Sequence, residues 1–258
     1  MKSAAEFAER VTYGTVGFMD VDLHQSSQTA AASDVPIPEE VGSHAAGGQL
    51  LAKPKLRGML HLITTPLVLL GGLALMIVAD TVLLRVGCAV WTVSAIMLFG
   101  HSAVYHRGRW TAKVEKVLRR IDHSNIAIFI AGTYTPLTLA LLTGSSRIVL
   151  LSVIWGCALL EVVFRTLWLG APRWLYVALY LVMGWAAVLW LPSFWASGGP
   201  AVVLLMVAGG LWYSVGAIIY ARKRPNPSAV WFGFHELFHA GTILGAACHW
   251  VAILLAVL

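Results

Sequence analysis

Two histidines four residues apart, His235 and His239, have the residue type and the spacing of metal ligands. A spacing of four residues places both imidazoles on one face of a helix, about 6 Å from each other. Side chains at that separation can bind one metal ion. The pair lies near the start of an apolar segment, residues 231–257, which is long enough to cross a bilayer. The sequence therefore predicts a metal site at one end of a membrane span.

The chain that must position this pair is unusually apolar. Of its 258 residues, 59% are hydrophobic and 12% are charged, whereas about 25% of the residues in a soluble domain are charged. The formal net charge is +6, but the basic residues fall in short loops between apolar segments, where membrane orientation explains them. Composition therefore predicts a polytopic membrane protein in contact with lipids, and it argues against nucleic-acid binding.

Seven apolar segments predict an all-α bundle of seven transmembrane helices, because each is close to the length of about 20 residues that a membrane-spanning helix needs. Short connections make neighbouring helices antiparallel. Residues 53–258 form the predicted membrane domain, and residues 1–52, which are rich in small and polar residues, are interpreted as a flexible cytoplasmic tail. The predicted spans are about 59–79, 82–105, 125–143, 148–169, 174–192, 200–221 and 231–257.

The loops between these spans predict the orientation of the bundle. Fourteen lysines and arginines lie in loops on one side of the predicted membrane domain, and two, Arg85 and Arg147, lie on the other. Basic loops stay in the cytoplasm. We therefore expect a cytoplasmic N-terminus, an outer C-terminus and a location in the plasma (inner) membrane.

With this topology, polar side chains from three different spans reach the same cytoplasmic level. They are Ser102, His106, Asp122, His235 and His239. Three neutral imidazoles with an open fourth position are typical of catalytic zinc, which makes a bound water nucleophilic at neutral pH. We predict that the three histidines bind zinc and that the carboxylate holds the water and accepts its proton. The serine, one turn before His106, orients a ligand or the water.

Each of these residues also has a structural interpretation. His106 is a polar residue at the end of a span, and Ser102 is a small residue of the kind that packs between membrane helices. Asp122 can pair with the arginines just before it at a helix start, where the helix dipole favours an acid. The metal hypothesis depends mainly on the histidine pair of the last span, because ionisable side chains inside membranes are costly and usually functional.

The glutamate between the paired histidines gives the motif a second interpretation. His-Glu-x-x-His is the motif of zinc metalloproteases, in which the glutamate is the general base. Glu236 is therefore a rival of Asp122 for that role. The motif is short enough to arise by chance, so a protease is the weaker hypothesis.

The remaining polar residues inside the spans are interpreted as structural. Glu161 and Arg165, four residues apart, are expected to form an ion pair within one helix. Four other histidines are assigned to packing or hydrogen bonding: His61, His101, His123 and His249.

Three motifs in a fixed order carry a resemblance to a known family. They are Ser102-x-x-x-His106, then Arg-Ile-Asp-His-Ser-Asn-Ile at 120–126 followed by Ile-Ala-Gly-Thr-Tyr-Thr-Pro at 130–136, and His-Glu-Leu-Phe-His at 235–239. In this order they resemble the bacterial hemolysin III family. That family belongs to the wider progestin and adiponectin receptor group, which is similar in turn to the alkaline ceramidases. The resemblance covers about residues 54–258, and the longer N-terminal tail departs from the short leaders of bacterial members.

The resemblance implies a seven-helix membrane protein with an internal N-terminus and a zinc ion near the cytoplasmic face. By matching motif positions, it implies that His106, His235 and His239 are the ligands and that Asp122 and Ser102 belong to the site. Three functions remain open for such a protein in membrane lipid or fluidity homeostasis. They are a zinc-dependent lipid-amide hydrolase, a non-enzymatic lipid sensor with structural zinc, and a pore-forming cytolysin. The pore ranks last, because no span carries a polar stripe along its length.

Overall fold

A computed structural model describes residues 54–258, and the predicted tail lies outside this range. The described part contains helices and no β-strand, which confirms the all-α class. The elements are α1 (Met59–Val78), α2 (Val82–Arg107), α3 (Ala112–Leu141), α4 (Gly144–Leu167), α5 (Arg173–Gly184), a 3₁₀ turn (Ala186–Trp190), α6 (Leu191–Arg222) and α7 (Phe234–Val257).

Within residues 54–258, six helical stretches are long and apolar enough to cross a membrane. Five of them are α1, α2, α3, α4 and α7, and the sixth runs without a separating loop from Arg173 to Arg222 over 50 residues. Large apolar side chains project outward from the bundle, as in Leu67 and Leu160, which are 61% and 70% exposed. Such a surface suits lipid rather than water. The chain is therefore a multi-pass membrane protein, as its composition predicts.

The 50-residue stretch covers two predicted spans, 174–192 and 200–221, and it changes direction inside α6. Gly199 has φ 73° and ψ 179°, values outside the helical range. Arg173 Nη1 donates to the carbonyl oxygen of Tyr220 at 3.3 Å, and Trp185 Nε1 donates to Ser214 Oγ at 2.9 Å. Going along the first arm from Arg173 to Trp185, the partner on the second arm moves backward from Tyr220 to Ser214. The two arms therefore run antiparallel.

Helix α3 begins thirteen residues before the predicted span at 125–143. Thr111 caps it by accepting a hydrogen bond from the N–H of Val114 at 3.4 Å. The first turns of α3 carry lysines and arginines, and their low hydropathy excluded these turns from the predicted span. As a consequence, Asp122 lies inside the helix and not at its start, where the dipole argument placed it.

One end of the bundle brings together the starts of α1 and α7 and the end of α2. The segment before α1 is hydrogen-bonded to the loop before α7, from Lys55 N to Val230 O at 2.9 Å. Gly58, at φ 74°, starts α1 so close to α2 that a Cβ atom added to it would lie 2.9 Å from His106 Cβ. This junction positions the candidate site.

Candidate metal centre

His106 at the end of α2 meets His235 and His239 in the first turns of α7. All three are at least 96% buried. One ring nitrogen from each lies within 4.8 Å of the others, and the two Nε2 atoms of His106 and His235 are 3.2 Å apart. The structure thus brings together the three histidines that the spacing and the orientation singled out.

The separation of one pair of nitrogen atoms in this cluster matches that in a four-coordinate metal site. Two nitrogen ligands of tetrahedral zinc, each bound at about 2.0–2.1 Å, lie roughly 3.3 Å apart. The 3.2 Å between Nε2 of His106 and Nε2 of His235 matches this separation. Imidazole donors suit zinc and neighbouring transition metals rather than magnesium or calcium. The residues present could therefore hold a zinc ion with one coordination position left for another ligand.

Asp122, on a third helix, and Ser102, on the same helix as His106, border the cluster. The Asp122 carboxylate, on α3, has its Oδ2 atom 3.7 Å from His106 Nε2 and is 9% exposed. Ser102, on α2, is buried one turn before His106. Both side chains line the same internal cavity as the histidines of α7. An acceptor and a hydroxyl are thus available beside the three imidazoles.

Glu236 has a different environment from Asp122. Its Oε1 accepts a hydrogen bond from Arg57 Nε, and its Oε2 accepts one from the N–H of Gly233 at 2.7 Å. The second bond caps the start of α7. Both carboxylate oxygens of Glu236 are therefore engaged in holding the helix start, and Asp122 is the carboxylate among the described residues that lines the cavity.

His61, which sequence reasoning assigned to packing, lies directly against the cluster. Its ring stacks on the ring of His239 with centroids 3.7 Å apart, and its edge meets Phe99 at 5.0 Å. His61 is 2% exposed and lines the cavity. Its position inside the first span was the available signal, since a buried ionisable side chain at membrane depth is functional by default.

His123, the residue after Asp122, contacts polar side chains of α4 and α5. The guanidinium of Arg165 contacts Nδ1 of His123 and lies 4.1 Å from the ring centroid of Tyr176. Arg165 thus has partners on α3 and α5, and it also attracts the Glu161 carboxylate on its own helix, as expected. Tyr180 donates its hydroxyl to the carbonyl oxygen of His123 at 2.9 Å. These contacts fix the turn of α3 that carries Asp122.

An apolar cavity extends from the histidine cluster into the bundle. Ser102, Asp122 and His239 lie along its wall at one end, and Thr133 and Tyr134 line it near the proline of α3. Apolar side chains dominate the remaining wall, among them Ile126, Leu137, Leu181, Leu191, Phe194 and Val207.

These observations define a class of protein: a helical multi-pass membrane protein with three buried histidines at one end of an apolar cavity. The chain belongs to the haemolysin-III-related family, whose model matches residues 50–250. This family is part of the progestin and adiponectin receptor superfamily.

Two curated relatives are similar to the chain over 150 residues, which is 58% of its length. The hemolysin-3 homolog of Bacillus subtilis (strain 168) is 36% identical over 70% of its own length. Hemolysin-3 of Bacillus cereus is 33% identical over 68% of its own length. The resemblance drawn from the motifs is confirmed at the level of the family.

Proposed function

We propose that this protein is a zinc-dependent hydrolase of lipid amides that acts in membrane lipid homeostasis. One observation carries the proposal: His106, His235 and His239 lie together beside Asp122 and Ser102 at the end of an apolar cavity inside a membrane protein. A metal-binding donor set, a carboxylate and a space for an alkyl chain are the parts that such a reaction requires.

Seven membrane crossings, with the N-terminus in the cytoplasm, form part of this proposal. The antiparallel arms of residues 173–222, joined at Gly199, are each long enough for one crossing. Basic residues from several loops lie at the end of the bundle that holds the cluster, including Arg57, Arg107 and Arg173. By the positive-inside rule, this end faces the cytoplasm, on the inner side of a plasma membrane.

The cavity favours a lipid over a peptide as substrate. Its wall is mainly aliphatic and aromatic, and apolar surface stabilises a bound alkyl chain by burying it. The surrounding helices expose their apolar faces to the bilayer, so a lipid can reach the site without crossing water. The same wall argues against a pore, because a constriction lined by apolar side chains excludes water and ions.

The roles of the side chains follow from their positions. When bound, zinc supplies Lewis-acid activation of water for attack on the amide carbonyl carbon. Asp122 holds this water through its carboxylate, accepts its proton and passes that proton to the amine as the C–N bond breaks. Ser102 holds the carbonyl or the water by a hydrogen bond. The products are a carboxylic acid and an amine, which balance the amide and the water consumed.

Asp122 is preferred to Glu236 as the base because of what each carboxylate touches. Asp122 Oδ2 is 3.7 Å from His106 Nε2, at the cavity wall. Both oxygens of Glu236 are hydrogen-bonded to the protein at the start of α7.

The test compares Asp122→Asn with the wild type for hydrolysis of a fluorescent long-chain ceramide and for zinc content. We expect Asp122→Asn to keep its zinc and to lose about 100-fold or more in turnover, the usual contribution of a general base. His101→Gln is the control, since His101 Nε2 lies 2.9 Å from the carbonyl oxygen of Leu118, outside the cluster. Zinc-loaded wild type without turnover on lipid amides would contradict the hydrolase and favour the sensor with structural zinc.

A further inference from the structure

A second polar pair lines the cavity away from the histidine cluster. Tyr213 on α6 and His249 on α7 meet edge to face, with ring centroids 5.3 Å apart. Nε2 of His249 lies 3.0 Å from the carbonyl oxygen of Met206. Because a carbonyl oxygen only accepts, the proton sits on Nε2, and Nδ1 of His249 is left as an acceptor.

Two atoms of this pair have no hydrogen-bond partner among the described residues, although both are buried. They are Nδ1 of His249 and the hydroxyl of Tyr213. Buried polar atoms in proteins are nearly always satisfied, by protein, water or ligand. An unpaired acceptor and an unpaired hydroxyl, on two neighbouring residues that both line the cavity, therefore indicate a bound polar group.

The two helices are shaped to admit these two rings. A Cβ atom at Gly209 of α6 would lie 2.3 Å from Cδ2 of His249. A Cβ atom at Gly245 of α7 would lie 2.6 Å from Cε1 of Tyr213. Each helix thus provides a glycine opposite the ring of the other, and any larger residue would displace the pair.

We propose that Tyr213 and His249 bind a hydroxyl group on the alkyl chain of the lipid. A hydroxyl can donate to Nδ1 of His249 and accept from the phenol of Tyr213, so it satisfies both atoms at once. A carbonyl group could accept from the phenol alone. This inference depends on the proposed function only in that a lipid chain occupies the cavity.

The position of the hydroxyl along the chain follows from the helix that carries both sites. Ten residues separate His239 from His249, which corresponds to about 15 Å along α7. An extended alkyl chain, with C–C bonds of about 1.5 Å, advances roughly 1.25 Å per bond and covers this distance in about 12 bonds. A hydroxyl about 12 bonds from the carboxyl carbon of a long acyl chain would therefore reach the pair when the carboxyl group is at the histidine cluster.

Competitive binding to the detergent-purified full chain tests the assignment. Radiolabelled octadecanoic acid is displaced by unlabelled octadecanoic acid, by its 12-hydroxy derivative or by its 2-hydroxy derivative. We expect the 12-hydroxy acid to bind about tenfold more tightly than the other two, as two added hydrogen bonds would give. In Tyr213→Phe this preference should fall to about threefold, because one of the two hydrogen bonds remains, while octadecanoic acid binds as before.

Thr133→Val is the matched control, because it also removes a hydroxyl from the cavity wall. The Thr133 hydroxyl already donates to the carbonyl oxygen of Phe129 at 2.9 Å, so its loss should leave the preference intact. Tyr213→Phe should also melt no lower than the wild type, since its hydroxyl has no protein partner.

Three results would overturn the inference, and they separate it from the proposed function. Equal binding of all three acids would mean that water occupies the pair, and it would leave the lipid cavity in place. A preference that stays at about tenfold in Tyr213→Phe would remove the pair from recognition of the hydroxyl. No binding of any acid to the wild type would overturn the inference together with the lipid cavity of the proposed function.

Discussion

The imidazole ring of His61 lies parallel to that of His239, with ring centroids 3.7 Å and ring planes 10° apart. His61 comes from α1 and His239 from α7, so the stack joins two helices that are distant in sequence. It fixes the plane of one candidate metal ligand. Mutation of an outer group that orients a metal ligand typically costs about 10–100-fold in metal affinity.

Removing this stack should weaken metal binding. We expect His61→Ala to lower zinc affinity by about tenfold, the lower end of the effect of an outer supporting group. His61→Phe, which keeps a flat ring against His239, should stay within a few-fold of the wild type. Competition with a chelator of known affinity measures both, and equal affinity in His61→Ala and wild type would show that the stack is packing alone.

The pair of Arg57 and Glu236 should contribute to stability rather than to turnover. Glu236→Gln keeps a side-chain oxygen for the Gly233 cap but leaves the largely buried guanidinium of Arg57 without its charge partner. We expect it to lower the free energy of unfolding by about 2–4 kcal/mol. Thermal unfolding in detergent measures the loss.

The same variant separates the two candidate bases. Turnover per bound zinc should be nearly unchanged in Glu236→Gln, in contrast to the loss expected for Asp122→Asn. A hydrolase that is inactive in Glu236→Gln at full zinc occupancy would assign the base to Glu236 and revive the protease-like interpretation.

Gly58 should be required for the position of His106. Its φ of 74° strains any other residue, and an added Cβ would lie 2.9 Å from His106 Cβ. We expect Gly58→Ala to lower zinc occupancy. Gly144→Ala is the control, since Gly144 also has a positive φ, of 54°, but has nothing within 4 Å of an added Cβ.

The two glycine variants share the cost of backbone strain, about 1 kcal/mol. Only Gly58→Ala should change the metal content, which elemental analysis measures at matched protein concentration. Equal zinc occupancy in both variants would show that the approach of α1 to α2 does not position the ligand.

Reporter fusions test the seven crossings. Alkaline phosphatase is active outside the cytoplasm, so fusions after Gly198 and after Leu258 should be active and a fusion after Lys223 should be inactive. If residues 173–222 crossed only once, the fusion after Lys223 would be active and the one after Leu258 inactive.

The helices and the main cluster could be predicted because each depends on a local pattern. Apolar length predicted α1, α2, α4 and α7 to within a few residues, and the four-residue spacing placed His235 and His239 on one face. The distribution of basic residues among the loops then predicted that His106 lies at the same end of the bundle as this pair.

The remaining contacts depend on tertiary packing that no local pattern encodes. The stacking of His61 on His239 requires knowing which face of α1 meets α7. Spacing indicated the attraction between Arg165 and Glu161 within one helix, but not the contact of the buried guanidinium with His123 on α3. The contact between Tyr213 and His249 could not be predicted, because it depends on the packing of each ring against a glycine of the other helix.

Zinc content of the purified protein tests the central claim most directly. Elemental analysis of the detergent-purified wild type should give about one zinc per chain, the occupancy of a single three-histidine site. His106→Ala, His235→Ala and His239→Ala should each lose it, while His101→Gln keeps it and gel filtration shows every variant folded. A folded wild type that binds no zinc after incubation with the metal, or that keeps it in all three variants, would contradict the account.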